Sequence, residues 1–176
     1  FPMNSSNHLL IITASNGENL KLAKRFIDKA NNLGAKAELL DLTTIDLPLY
    51  NPRTHKNLGI PLEAQKLSDQ MAAIPKWVIC APEYNGSIPP VFTSALAWLS
   101  VLGDDFRYLF NGRPIAMASV SGGGGTELLV SLRIQLTHLG AQVVGRQLSS
   151  NSNKPAEEKS IEDLLQRLMQ MNNLKM

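Results

Sequence analysis

Three short stretches of this chain carry residue types that could hold a ligand. Pro82-Glu83-Tyr84-Asn85-Gly86-Ser87-Ile88-Pro89 combines an aromatic ring, an amide and a hydroxyl, and Glu83 is its one strongly charged group. That mix suits a large, flat, partly polar ligand better than a metal ion or a bare phosphate. Thr13-Ala14-Ser15-Asn16-Gly17-Glu18-Asn19 closes an apolar run and opens a helical pattern. Helix N-termini bind phosphate through free N–H groups and a favourable dipole. The same residue types are ordinary helix caps, so this stretch alone reads equally well as a plain cap. Ser121-Gly122-Gly123-Gly124-Gly125 has four consecutive glycines, which cost chain entropy and imply a close backbone approach to something. A flexible turn is the plain alternative.

Other chemistries find little support. A dinucleotide fingerprint starting at Gly122 would need a glycine where Glu127 stands, and there is no Gly-Lys-Ser/Thr phosphate loop. His8, His55 and His138 make no set with metal-ligand spacing. Cys80 lies in an apolar run and reads as a small core residue. No serine stands in a Gly-x-Ser-x-Gly context. The chemistry is therefore expected to belong to a bound cofactor, with the protein supplying position and electrostatics.

The elements that must position these stretches alternate between strand and helix patterns. Strands are expected over His8 to Thr13, Ala35 to Leu42, Trp77 to Ala81, Ile115 to Val120 and from Ala141 to Val144. Helices are expected around Leu22 to Leu33, over Leu62 to Ile74, Pro90 to Val101 and Thr126 to Leu139, and in a last segment bearing Ile161, Leu164, Leu165 and Leu168. Ser160 with Asp163 reads as a capping box for that last helix. Thr43 to Pro61 reads as a long connection. The alternation predicts an α/β doubly wound parallel sheet of five strands, with order 2-1-3-4-5 and helices on both faces. In that order strands one, three and four are neighbours, and the three polar stretches converge on one sheet edge.

The 176 residues suggest a single domain over 1–176, with 1–7 expected as a flexible N-terminus and Phe1-Pro2 ahead of Met3 as a cloning remnant. One cysteine excludes an internal disulfide framework and fits a reducing, cytoplasmic setting. No apolar run approaches the roughly 20 residues of a membrane span, and Phe1 to Asn7 lack the pattern of a signal peptide. The net charge of +2 comes from scattered residues, 17 basic and 15 acidic. Without aromatic-basic interleaving, neither nucleic acid nor membrane is an expected partner.

Pro82 to Pro89 closely resembles the most specific signature of the NADPH-dependent FMN reductase family, flavodoxin-like proteins that include quinone, azo-dye and chromate reductases. Asp46-Leu47-Pro48-Leu49-Tyr50-Asn51, Ala95 to Ser100 and Leu139 to Val144 resemble further family segments, so the likeness runs over about residues 8 to 149. It implies a flavodoxin-like fold, FMN as cofactor and NADPH or NADH as co-substrate. The FMN phosphate would sit on Ser15, Asn16, Gly17, Glu18 and Asn19, with Thr13 beside them. Pro82, Glu83, Tyr84, Asn85 and Gly86 would line the ring and ribityl chain, and Ser121, Gly122 and Gly123 would approach the ring's other edge. Tyr84 and Asn85 would shape the face where donor and acceptor alternate in a ping-pong cycle. The first loop departs from the family's Gly-Ser-x-Arg pattern: Asn19 is retained, the arginine is absent and the loop is shorter, closer to the uncharged phosphate loop of flavodoxins. The family also implies a homodimer or homotetramer, for which Phe92, Trp98, Leu99 and Tyr50 are candidate contacts, with core packing the equal alternative for Phe92 and Trp98. The implied activity is an NAD(P)H oxidoreductase acting on a small acceptor such as a quinone, free flavin, azo compound or metal oxyanion. A flavodoxin-like electron carrier is the second reading. Arg53, Lys56 and Arg113 are the cations available to a nicotinamide 2′-phosphate.

Overall fold

A computed structural model describes residues 7–175, so most of the expected flexible N-terminus, residues 1–6, lies outside the described residues. Four runs form strands of the sheet, β1 (His8–Thr13), β2 (Lys36–Asp41), β3 (Lys76–Cys80) and β4 (Pro114–Val120), with β2 at one edge. β3 is buried throughout, as a central strand covered on both faces must be. All pairings are parallel, in the order β2-β1-β3-β4.

The expected fifth strand is interrupted. β5 (Gln142–Val143) and β6 (Leu148–Ser150) both pair with β4, and between them β4 advances from Ile115 to Ala118 while its partner advances from Val143 to Leu148. The two extra residues form a bulge whose carbonyls face the Arg133 guanidinium, 2.9 Å from Val144 O. The strand pattern did not register this because the device that satisfies the bulge sits on another element.

Helices α1 (Glu18–Asn32) and α6 (Glu158–Gln170) cover one face, with Leu22 and Phe26 packed against Ile161, Leu164 and Leu168. The other face is covered by α3 (Leu62–Ala73), α4 (Pro90–Leu99) and α5 (Thr126–His138). The long connection is not structureless: it holds a 3-10 turn at Leu42–Thr44 and the short α2 (Pro52–Leu58). Asn51 caps α2 by accepting from the Thr54 N–H at 2.8 Å, with Pro52 in the first helical position.

Three further expectations are corrected. Ser160 lies inside α6 rather than capping it; its hydroxyl accepts from Arg146, and Asp163 pairs with Arg146 and Arg167. Leu99, expected as an intersubunit contact, is buried in the core, and Phe92 and Trp98 take the core alternative. Trp98 donates its indole N–H to Pro48 O at 2.7 Å and meets Tyr50 edge-on at 5.0 Å. Arg113 is buried under the sheet's opposite edge, where it donates to the Leu109 and Ile74 carbonyls and lies over Trp77, so it is no part of a phosphate site near the three loops. Burial pulls its pKa down to about 10.

Candidate functional site

Parallel strands joined by right-handed crossovers all end on the same edge of the sheet. The loops leaving β1, β3 and β4 therefore stand side by side there, and hydrogen bonds tie them together. Loop one is Ala14–Gly17, loop two Ala81–Pro89 and loop three Ser121–Gly125.

In loop one the buried Thr13 hydroxyl donates to Ser15 O at 2.8 Å, and Ser15 Oγ accepts from the Gly17 N–H at 3.2 Å. These bonds curl the loop so that α1 begins at Glu18 with Gly17 as its cap residue and no side-chain cap. Among the described residues nothing accepts from the N–H groups of Asn16, Glu18 or Asn19. Clustered free donors at a helix start are groups of the kind that bind anions. The Glu18 side chain turns away to pair with Lys21 at 2.6 Å. Asn19 is buried, and both functions of its amide are bonded to Val120: Nδ2 donates to the carbonyl at 2.8 Å and Oδ1 accepts from the N–H at 2.9 Å.

Loop two is a tight hairpin. Tyr84 and Ser87 exchange both backbone hydrogen bonds, at 3.0 and 2.9 Å. Asn85 (φ 50°) and Gly86 (φ 71°) form the two-residue turn between them, both left-handed. A turn of that type favours Asn-Gly. It lifts the Tyr84 ring into solvent at 49% exposure. Glu83 faces inward: its N–H donates to Ser121 Oγ at 2.8 Å, and its carboxylate accepts from the Leu128 N–H at 3.3 Å, in the first turn of α5. Glu83 thus serves as the cap that α5 lacks from its own Gly125. Pro82 is half-buried beneath it.

Loop three divides its glycines. Gly124 and Gly125 are buried, with φ of 91° and 75°, and a Cβ on Gly125 would lie 2.5 Å from Ser119 Oγ. Gly122 and Gly123 are exposed, with nothing near a Cβ and no left-handed backbone. Among the described residues nothing requires these two to be glycine. Ser121 Oγ also meets Ser119 Oγ at 2.8 Å, while Ser149 and Ser150 donate to Gly124 O and Ser119 O. Ser119, Ser149 and Ser150 escaped the sequence reading because they lie inside strands, where a serine carries no pattern.

Arg53 and Lys56 lie exposed on α2, in the connection between β2 and α3. An apolar cleft of about 210 Å³ lined by Ile45, Leu47, Val91 and Ala95 lies between that connection and α4. Cys80, at the end of β3, is fully buried, and desolvation pushes its thiol well above the ordinary range. No helix among the described residues is long and apolar enough to cross a membrane.

A parallel sheet wound 2-1-3-4-5 with helices on both faces, its loops after β1, β3 and β4 clipped together at one edge, defines a flavodoxin-like fold. The chain belongs to the NADPH-dependent FMN reductase family, whose model matches residues 7–155. It is 33% identical over 103 residues to a quinone reductase of Escherichia coli, a match covering 57% of this chain and 53% of that one. It is 32% identical over 90 residues to an NAD(P)H-dependent FMN reductase of Pseudomonas aeruginosa, covering 51% and 45%. The chain thus matches about half the length of these curated relatives. Among solved structures it resembles FerB, a flavoenzyme NAD(P)H:(acceptor) oxidoreductase from Paracoccus denitrificans, with TM-score 0.74, 20% identity and coverage of 94% and 96%. An archaeal flavodoxin superposes with TM-score 0.61 at 10% identity, covering 92% of this chain and 94% of that one. Both structural likenesses speak for the fold.

Proposed function

We propose that this protein is an FMN-dependent NAD(P)H oxidoreductase that passes electrons to a small acceptor such as a quinone, free flavin, azo compound or metal oxyanion. The observation that carries the reading is the pairing of open Gly122 and Gly123 with the free N–H groups at the start of α1. One offers a bare backbone to a flat ring and the other a seat for a phosphate. Bound there, FMN supplies two-electron transfer between a nicotinamide and the acceptor.

The chain's own groups do the rest. The N–H groups of Asn16, Glu18 and Asn19 take the phosphate, with Ser15 and Gly17 shaping the nest. Pro82, Tyr84, Asn85 and Gly86 hold one side of the ring, and Ser121, Gly122 and Gly123 the other. Tyr84, half exposed, with Asn85 would shape the face where donor and acceptor alternate. Glu83 lines the site beside them, held by its clamp on Ser121 and α5. Arg53 and Lys56 remain the available cations for a 2′-phosphate. A homodimer or homotetramer is part of this proposal, with exposed Leu49, Leu58, Ile60 and Leu62 as the surface for it, and a cytoplasmic setting suits the single buried thiol.

The arginine-free first loop favours a second reading, a flavodoxin-like carrier that docks on protein partners. One experiment separates them. The protein is loaded with FMN, and its absorbance is followed during anaerobic addition of NADPH and then NADH. Bleaching of the flavin band by either nucleotide is expected. A bound flavin that neither nucleotide bleaches would favour the carrier, and a protein that takes up no flavin would overturn both.

A further inference from the structure

Each residue of a parallel strand points its N–H and C=O to the same side, and the side alternates along the chain. At the end of β4, Ser121 donates its N–H to Ser150 O, and Ser119 O accepts from Ser150 Oγ. Ala118 O takes the Ala81 N–H from the opposite side, at 3.1 Å. Val120 faces that same opposite side, but the β3 ladder has ended there: its last pair is Cys80 with Ala118, after which the chain leaves into loop two. Val120 would be left with an unpaired donor and acceptor at a sheet end.

Asn19 fills that place. A side-chain amide carries the same donor and acceptor as a peptide unit. The Asn19 amide pairs with both Val120 groups, at 2.8 and 2.9 Å, across 101 residues of sequence, and it is 2% exposed. The next residue, Ser121, accepts from the Glu83 N–H. A single bonded path therefore runs from the first turn of α1 to loop three and on to loop two.

We infer that Asn19 is a positioning residue that stands in for the missing β3 residue and thereby fixes the distance between the anion nest and the two loops that flank the ring. This rests on the proposal that the site takes FMN, whose phosphate and ring must reach both places at once. Only a ligand that bridges them senses the spacing. Riboflavin, which lacks the phosphate, does not.

The test compares binding of FMN and riboflavin to wild type, Asn19→Ala and Asn19→Asp by fluorescence titration. Loss of the paired amide is expected to weaken FMN by about tenfold or more while riboflavin changes by less than about threefold. Equal weakening of both ligands would make Asn19 a general support of the fold and overturn the inference, as would no weakening of either. Absence of FMN binding by the wild type would bring down the underlying reading along with the inference, so the two failures are distinguishable. Should neither variant fold, amide hydrogen exchange on the flavin-free wild type decides. The Val120 N–H is expected to be protected before any ligand is added, and exchange as fast as that of Gly122 would overturn the inference.

Discussion

The four glycines of loop three are glycine for two different reasons. At Gly125 the backbone is left-handed and a Cβ would meet Ser119 Oγ at 2.5 Å and Ser119 Cβ at 2.9 Å. The conformation alone costs an ordinary residue about 1–2 kcal/mol, so Gly125→Ala is expected to lower stability by at least that much in urea unfolding. Gly123 meets no such limit, and Gly123→Ala should leave unfolding within about 0.5 kcal/mol of wild type while weakening FMN severalfold. A Gly123→Ala protein that binds FMN as wild type does would show that no ligand approaches there. Asn85 obeys the same logic with a side chain present. Its φ of 50° is one asparagine tolerates. Asn85→Gly should therefore fold as wild type, whereas Asn85→Ile should lose about 1–2 kcal/mol and slow NADPH consumption through its bulk. An unchanged rate in Asn85→Ile would remove Asn85 from the reacting face. The turn was legible in the sequence because Asn85-Gly86 carries its own geometry. The tasks of Asn19 and Glu83 were not, because each partner is a backbone group far along the chain, at Val120 or Leu128.

Between elements, α1 and α6 are joined by apolar packing and by a rim of charge. Glu158 lies 2.5 Å from Arg25 and 3.7 Å from Lys29. The Arg25 hydrogen bond, above all, holds the Glu158 carboxyl below its ordinary 4.5. A carboxyl lowered in the folded state adds stability that is fully present above the unfolded value and is lost as pH falls through the folded one. Glu158→Gln is thus expected to be less stable than wild type at pH 7 by about 0.2–1 kcal/mol, the range for exposed pairs. The gap should shrink as pH falls below the ordinary carboxyl value and through the folded one, and thermal unfolding at pH 7 and at acid pH measures it. A gap of constant size would mean that packing, not charge, sets the difference. Most elements were readable from their apolar spacing. The misreadings fall where a distant side chain decides: Ser160 and Asp163 have the spacing of a cap, but Arg146 from the bulge claims both.

On the scale of the whole molecule, the sheet order was legible because five strand-like runs alternating with helices leave few ways to wind. The interruption between β5 and β6 was not, since nothing local marks it. The same topology makes Cys80 a reporter for the entire fold. It ends β3, pairs with Thr13 of β1 and Ala118 of β4, and is fully buried between the two helical layers. Desolvation holds its thiol in the unreactive protonated form. Displacing loop two alone would leave it covered, because the Ala81 N–H is bonded to Ala118 and the Ala14 N–H to Cys80. A thiol reagent should therefore react only through global unfolding, and its rate should rise with urea in step with the unfolded population. FMN binding, by stabilising the folded state, should slow the reaction in proportion to ligand concentration above its dissociation constant. Fast labelling in water, independent of urea, would instead mean that the central strand frays at the site's edge. In that case the loops would not be the rigid frame that their hydrogen bonds describe.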